Sequence, residues 1–292
     1  MRTYLLPVCL LVVCGSLAAC SGGGSASQGG RNAQAAAKPA ADPNRIQVGD
    51  DRQVEVSKLS PAEQREIQQA WNQFLTNSPL WRISLFSIVE RGGAGPYVLS
   101  ENLFRYFFQA SLANRKADIQ RVAKSAAVIG EPAVAYFAKP LVEDLVPLGK
   151  PVTANVPDPN DPKKRIQKTF HHFQIDDFTR RHAARVLAAI GEPAVATLSS
   201  PQLLQQARPS GRRYAAFALG LIGTDDAVAA LERHYDATTD WQDRAAAVKA
   251  LGAAMATNPA ARQPLERALK DPDRFVRDQA DRALAGRTKL PL

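Results

Sequence analysis

The sequence is poor in the residues that most often carry chemistry. It has three cysteines, four histidines and two methionines in 292 residues. Cys9, Cys14 and Cys20 all lie in the first twenty positions, so the rest of the chain offers no thiol for a disulfide, a nucleophile or a cysteine metal site. His171, His172, His182 and His234 form no H-E-x-x-H or comparable spacing, and there is neither a glycine-rich phosphate loop nor a nucleophile elbow. A Ser/His/Asp triad needs geometry and gains no support from order alone. The expectation is therefore a protein that is not an enzyme and needs no cofactor. One metal constellation stays open: His171 or His172 with Asp176 and Asp177.

Long apolar runs are also missing. The stretch from Tyr4 to Ala19 is the most hydrophobic in the chain, yet it is shorter than the roughly 20 residues a spanning helix needs. It follows Arg2 and closes on Leu17-Ala18-Ala19-Cys20, which reads as a targeting segment. That close resembles the lipobox of bacterial lipoproteins, an ordinary secretory signal being the alternative. The resemblance implies cleavage before Cys20 and acylation of Cys20, with several acyl chains giving stable anchoring. With Ser21 following and not Asp, it implies an exported protein at the outer membrane, most simply on its periplasmic face. Export without disulfides means that the domain must be stabilised by its own core.

Residues 21–50 begin SGGGSASQGG and contain almost no large apolar side chain, and the segment is read through to residue 59. They are expected to be a flexible tether with a reach of roughly 35 Å. The net charge is +9, and removal of residues 1–20 takes away only Arg2. Such a balance favours acidic partners without naming one.

Beyond the tether the chain is organised by a phrase used twice. Ile-Gly-Glu-Pro-Ala-Val-Ala occupies Ile129 to Ala135 and again Ile190 to Ala196. Glycine permits the backbone that closes one helix, and proline suits the first turn of the next. Upstream, Ile119, Val122, Ala126 and Ile129 recur at helical spacing, as do Ala183, Val186, Leu187 and Ile190. Leu187, Leu219, Leu251 and Leu284 are separated by 32, 32 and 33 residues, one helical hairpin each.

The pattern R-x-x-A-x-x-x-L-(G/A) is carried by Arg180/Ala183/Leu187, Arg212/Ala215/Leu219, Arg244/Ala247/Leu251 and Arg277/Ala280/Leu284. It resembles the short bacterial HEAT-like repeats also found in bilin lyases, most clearly over residues 115–286. The resemblance implies an all-α superhelix of about five hairpins with capping helices, used for binding. It does not carry the lyase activity across, and the paired His-Glu motifs of HEAT-repeat metal hydroxylases are absent. By family analogy the binding face is the second helix of each hairpin.

The basic position of the repeat, Arg180, Arg212, Arg244 and Arg277, admits two readings. Asp176, Asp240 and Asp273 stand four residues before three of these arginines, which suggests an Asp/Arg ladder between stacked units. The alternative is an arginine column that grips an anionic ligand. The ladder is favoured because similar repeats use their Asp and Arg that way.

The remaining segments take their places around this array. Ser60-Pro61-Ala62-Glu63 is a helix start, and residues 60–113 read as a cap helix with one degenerate unit. Phe104, Tyr106, Phe107 and Phe108 read as core, with a partner patch as the alternative. Residues 114–150 form one repeat, with Val142 to Leu148 finishing a helix, and residues 178–292 the remaining repeats and the C-terminal cap. Between them, residues 151–177 form a proline-rich insert in which Lys163, Lys164, Arg165 and Lys168 lie beside Phe170, His171 and His172. It is expected to be a loop pinned on the solenoid, exposing its cations to an anionic partner. The implied function is a membrane-anchored scaffold for an envelope protein partner. Electrostatic binding of peptidoglycan or lipopolysaccharide through the insert is the alternative, and no nucleic acid is expected.

Overall fold

The computed structural model describes residues 59–291 apart from 159 and 160, without the side chains of 146–157, 162 and 170–173. The targeting segment, Cys20 and the tether up to residue 58 lie outside the described residues.

Twelve α-helices follow one another among the described residues: α1 Pro61–Leu75, α2 Trp81–Arg91, α3 Gly95–Leu112, α4 Lys116–Ile129, α5 Glu131–Val142, α6 Asp177–Ile190, α7 Val195–Leu198, α8 Pro209–Ile222, α9 Asp225–Ala237, α10 Trp241–Ala254, α11 Arg262–Ala268 and α12 Arg274–Leu284. From α2 to α11 they pair into five hairpins, with α1 at one end and α12 at the other. The first helices, α2, α4, α6, α8, α10 and α12, each pack on the next. The molecule is an α-solenoid.

The corners work through backbone conformation. Gly130 and Gly191 take φ of 74° and 80° with extended ψ, a region essentially closed to side chains. A Cβ there would meet nothing within 4 Å, so conformation and not space demands glycine. Gly220 is the opposite case: its helical backbone suits any residue, but a Cβ would sit 2.5 Å from the Ala250 carbonyl oxygen. Helices α8 and α10 approach that closely because Ala215, Ala247 and their equivalents Ala183 and Ala280 are fully buried, as are Leu187, Leu219 and Leu251. The alanine-rich motif is thus a packing device.

The N-terminal part uses bulk in place of smallness. Phe104 and Phe107 of α3 are buried against Phe137 of α5, and Phe108 is buried against both of them. Tyr106 meets Trp71 and Phe74 edge-on, and its hydroxyl accepts a 2.8 Å hydrogen bond from Arg121. All four aromatics are core and none forms a partner patch.

The expected insert differs most. Val142 ends its helix, and no helix reaches Leu148; instead β1 Leu145–Asp158 pairs antiparallel with β2 Asp161–Gln174. Asp176, placed within the insert by sequence, is the N-cap of α6. The hairpin has no apolar alternation long enough to announce it. From Lys163 to Thr169 every side chain of β2 is exposed, Ile166 among them, while Ile175 just beyond β2 is buried in the core; the segment is a strand hairpin and not a loop. Strand β1 meets α3, and the Ile175 amide donates to the Asp144 carbonyl where the hairpin joins the helices.

Candidate interaction surfaces

Each repeat arginine is the fourth residue of its helix. Arg212 donates to Asp243 at 2.6 Å, and Arg244 donates to Asp271 at 2.9 and 3.2 Å. Both carboxylates belong to the next unit along the chain. Each arginine also ties down the turn before its own helix: Arg212 to the Ala207 carbonyl, Arg244 to Thr239 and Arg277 to Pro272. Arg180 pairs with Asp144 at 2.5 Å, beside the hairpin base, and Asp144 also pairs with Arg208.

The aspartates four residues earlier do something else. Asp176, Asp240 and Asp273 accept from backbone amides in the first turn of their helices. The spacing that suggested ion pairs records N-caps, and Asp240 also stands 3.8 Å from Arg212 of the preceding unit, while the hydrogen-bonded rungs are made by Asp243 and Asp271. These guanidinium groups are occupied within the protein, and no arginine column faces a ligand. Burial alone would raise the Asp271 carboxyl, but hydrogen bonds from Arg244, the Asp273 amide and Tyr235 outweigh it and hold it below the usual carboxylate range. Tyr235, desolvated and hydrogen-bonded to that carboxylate, is pushed up to about 12.

His182 is buried, and both ring nitrogens lack a hydrogen-bond partner in the protein. Its ring stands edge-on to Phe178 at 4.3 Å. Burial first, then the positive charges of Arg185, Arg181 and Lys116, lower it to about 4. It is a neutral packing residue at neutral pH.

The second-helix row, expected to be the binding face, is uneven. Helix α7 has 4 residues and α11 has 7, so no continuous helical surface is presented there. A groove lies instead over the first helices α8, α10 and α12, with a volume of about 410 Å³. Trp241 and Phe275 occupy it at the opening turns of α10 and α12, 42% and 50% exposed, with ring centroids 5.5 Å apart in a T-shaped pair. Tyr214 and Phe217 extend the aromatic surface, and Arg213 and Lys249 line it with positive charge. Asp177, the first residue of α6, lines its far end.

Sequence reasoning missed this groove. Its aromatics fall at two different repeat positions, three residues before Arg244 and two before Arg277, so no column of identical residues marks it. The available signal was an aromatic just inside two Asp N-caps, where a side chain projects from the helix end.

Lys163, Lys164, Arg165 and Lys168 are exposed on β2. Strand alternation puts Arg165 and Lys168 on opposite faces of the ribbon, while Lys163 and Lys164 lie opposite the register irregularity between Pro157 and Asp158. The side chains of Phe170, His171 and His172 lie outside the described residues. Asp176 is engaged as a helix cap and Asp177 approaches Arg180 at 3.8 Å. Among the described residues no cluster of three or more metal-ligating side chains occurs, and no helix is long and apolar enough to cross a membrane.

Residues 200–285 match the family model described as HEAT repeats. The match covers α8 to α12 and with them Arg212, Arg244 and Arg277. The matched segment contains the units joined by the Asp243 and Asp271 rungs. Among solved structures, human deoxyhypusine hydroxylase in complex with glycerol is similar at 16% identity, over 77% of this chain and 97% of that one, with a TM-score of 0.34. No curated protein matches the chain.

Proposed function

We propose that the protein is an exported, lipid-anchored scaffold, not an enzyme, that holds an envelope protein partner against the first-helix row of its HEAT repeats. The observation that carries this reading is the exposed Trp241–Phe275 pair above a groove lined by Arg213 and Lys249. Large aromatics of this exposure are uncommon on a surface with no partner, and aromatic anchors beside cations are what interface centres are made of. The positive lining fits a partner segment carrying aspartate or glutamate next to apolar residues. The anchor rests on the lipobox-like close at Cys20, and Cys20→Ser is expected to release the protein from the membrane fraction.

A photo-crosslinking residue at Gln242, inside the groove, tests the binding face. It is expected to join one partner protein in intact cells, whereas the same residue at Arg233 on α9 joins none. Equal capture at both positions would refute the assignment of the groove.

A second reading, binding of an envelope polyanion, draws on the exposure of Lys163, Lys164, Arg165 and Lys168. It predicts retention that falls steeply with salt. The division of these cations between two ribbon faces leaves no single face with all four, so the scaffold reading stands ahead of it.

A further inference from the structure

The chain goes on packing after α12 ends. The Gly286 amide donates to the Ala283 carbonyl at 2.9 Å and the Arg287 amide to the Arg282 carbonyl at 2.8 Å, with Gly286 at φ 68°. That pair of bonds closes the helix and turns the chain back. Residues 287–291 are then neither helix nor strand. Thr288 and Leu290 are half-buried while Lys289 and Pro291 are exposed, the alternation of an extended segment.

The solenoid makes room for this segment. A Cβ at Gly252 of α10 would stand 2.6 Å from both the Ala283 methyl and the Thr288 hydroxyl oxygen, so the glycine that lets α12 approach also admits Thr288. Leu290 packs on the buried core. Thr288, Lys289 and Leu290 line a hollow of about 610 Å³ together with Leu221 and Met255, whereas Pro291 lines the groove of Trp241 and Phe275. Helix α10 gives Gly252 and Ala253 to the first cavity and Ala245, Ala246 and Lys249 to the second. The segment therefore runs along α10 out of one cavity and into the other.

Its hold is slight and its charge is wrong for the place. Among the described residues no hydrogen bond or ion pair joins residues 288–291 to the helices. Lys289 shares its hollow with Arg185, and the groove ahead is lined by Arg213 and Lys249. Like charges so placed disfavour a basic segment and favour an acidic one. A weak contact is nevertheless populated when it is tethered, because a short linker gives an effective concentration on the order of millimolar.

We propose that residues 288–291 are a displaceable strap seated at one end of the groove, and that an acidic partner segment takes their place. The inference rests on the groove as the binding face and adds how that face is regulated. The partner's apparent affinity is reduced in proportion to the fraction of chains whose strap is unseated.

The probe is 1-anilinonaphthalene-8-sulfonate, an aromatic anion matched to the Trp241–Phe275 pair and its cations, titrated into the full chain and followed by fluorescence. Leu290→Arg removes the apolar contact and adds like charge. It is expected to bind the probe at least about threefold tighter, as release of a strap seated in about two-thirds of chains would give. The hexapeptide Arg-Thr-Lys-Leu-Pro-Leu, the sequence of residues 287–292, is expected to reverse that gain at roughly millimolar concentration. The same peptide with Arg in place of Leu at its fourth position is not. Absence of a gain would overturn the proposal. So would a gain that the hexapeptide leaves untouched, or one that survives in the Trp241→Ala/Phe275→Ala background, since either would come from loosening elsewhere. The peptide arm decides the matter even if Leu290→Arg lowers the urea midpoint. Capture at Gln242 separates the two claims. Capture without a probe gain keeps the groove and removes the strap; a reversible gain without capture overturns the groove reading, and with it the partner that displaces the strap.

Discussion

The two ends of the solenoid solve one packing problem in different ways. Around α1 to α5 the helices are held apart by large rings: Phe104, Phe107, Phe108 and Phe137 interlock while Trp71, Phe74 and Tyr106 close the outer side. From α8 to α12 the first helices meet through alanine and Gly220, and charged rungs from Arg212 and Arg244 cross between units. Close approach makes the second region regular, because every unit must repeat the same small residues. Bulk makes the first irregular, since rings can fill an interface in many arrangements. The family model matches only the regular part, and the difference in packing explains why.

The comparison can be broken from either side. Phe107→Ala removes a fully buried ring and is expected to cost about 3–5 kcal/mol, read from urea unfolding. Its loss of hydrogen-exchange protection should be concentrated in α1 to α5, because units of a solenoid communicate mainly with neighbours. Asp271→Ala strikes the other end. It strands Arg244 and the Tyr235 hydroxyl and should cost about 2–3 kcal/mol, with protection lost first in α10 to α12. Uniform loss in both variants would mean that the two regions behave as one cooperative unit.

Gly220→Ala isolates close approach from charge. The added Cβ would press on Ala250 backbone atoms at 2.5 to 2.9 Å, and overpacking of that kind costs about 1–3 kcal/mol. Gly130→Ala at the corner should also destabilise, through strain alone, since space is free there. A smaller effect belongs to His182, at the junction of the two regions. Its folded value of about 4 lies below the ordinary 6.5, so the unfolded chain takes up the proton first. Its contribution is fully present above about pH 6.5 and is lost as pH falls towards 4. His182→Leu should flatten the stability profile across that window; an unchanged slope would show that other groups set it.

How far the sequence reveals this molecule follows the same division. The corners at Gly130 and Gly191, the leucine period and the buried motif alanines are legible because each is a local requirement repeated in register. The rungs were half legible. The arginines stand in the motif, but their partners Asp243 and Asp271 lie outside the spacing that drew attention to Asp176, Asp240 and Asp273, whose work is capping. The hairpin was invisible as β structure because Lys163 to Thr169 are exposed and so need no apolar alternation, while its prolines imitate a loop. The groove escaped because Trp241 and Phe275 occupy different repeat positions and come together only when α10 packs on α12.

The groove is also where the comparison bears on function, since close approach of the first helices is what brings those two rings together. The most direct measurement is the affinity of the Trp241→Ala/Phe275→Ala double variant for the partner captured at Gln242, taken alongside its urea midpoint. Both rings are half exposed, so the midpoint should move little, while affinity should fall at least tenfold, as loss of paired aromatic anchors does. Undiminished affinity with an unchanged midpoint would contradict the account and move the binding face elsewhere on the solenoid.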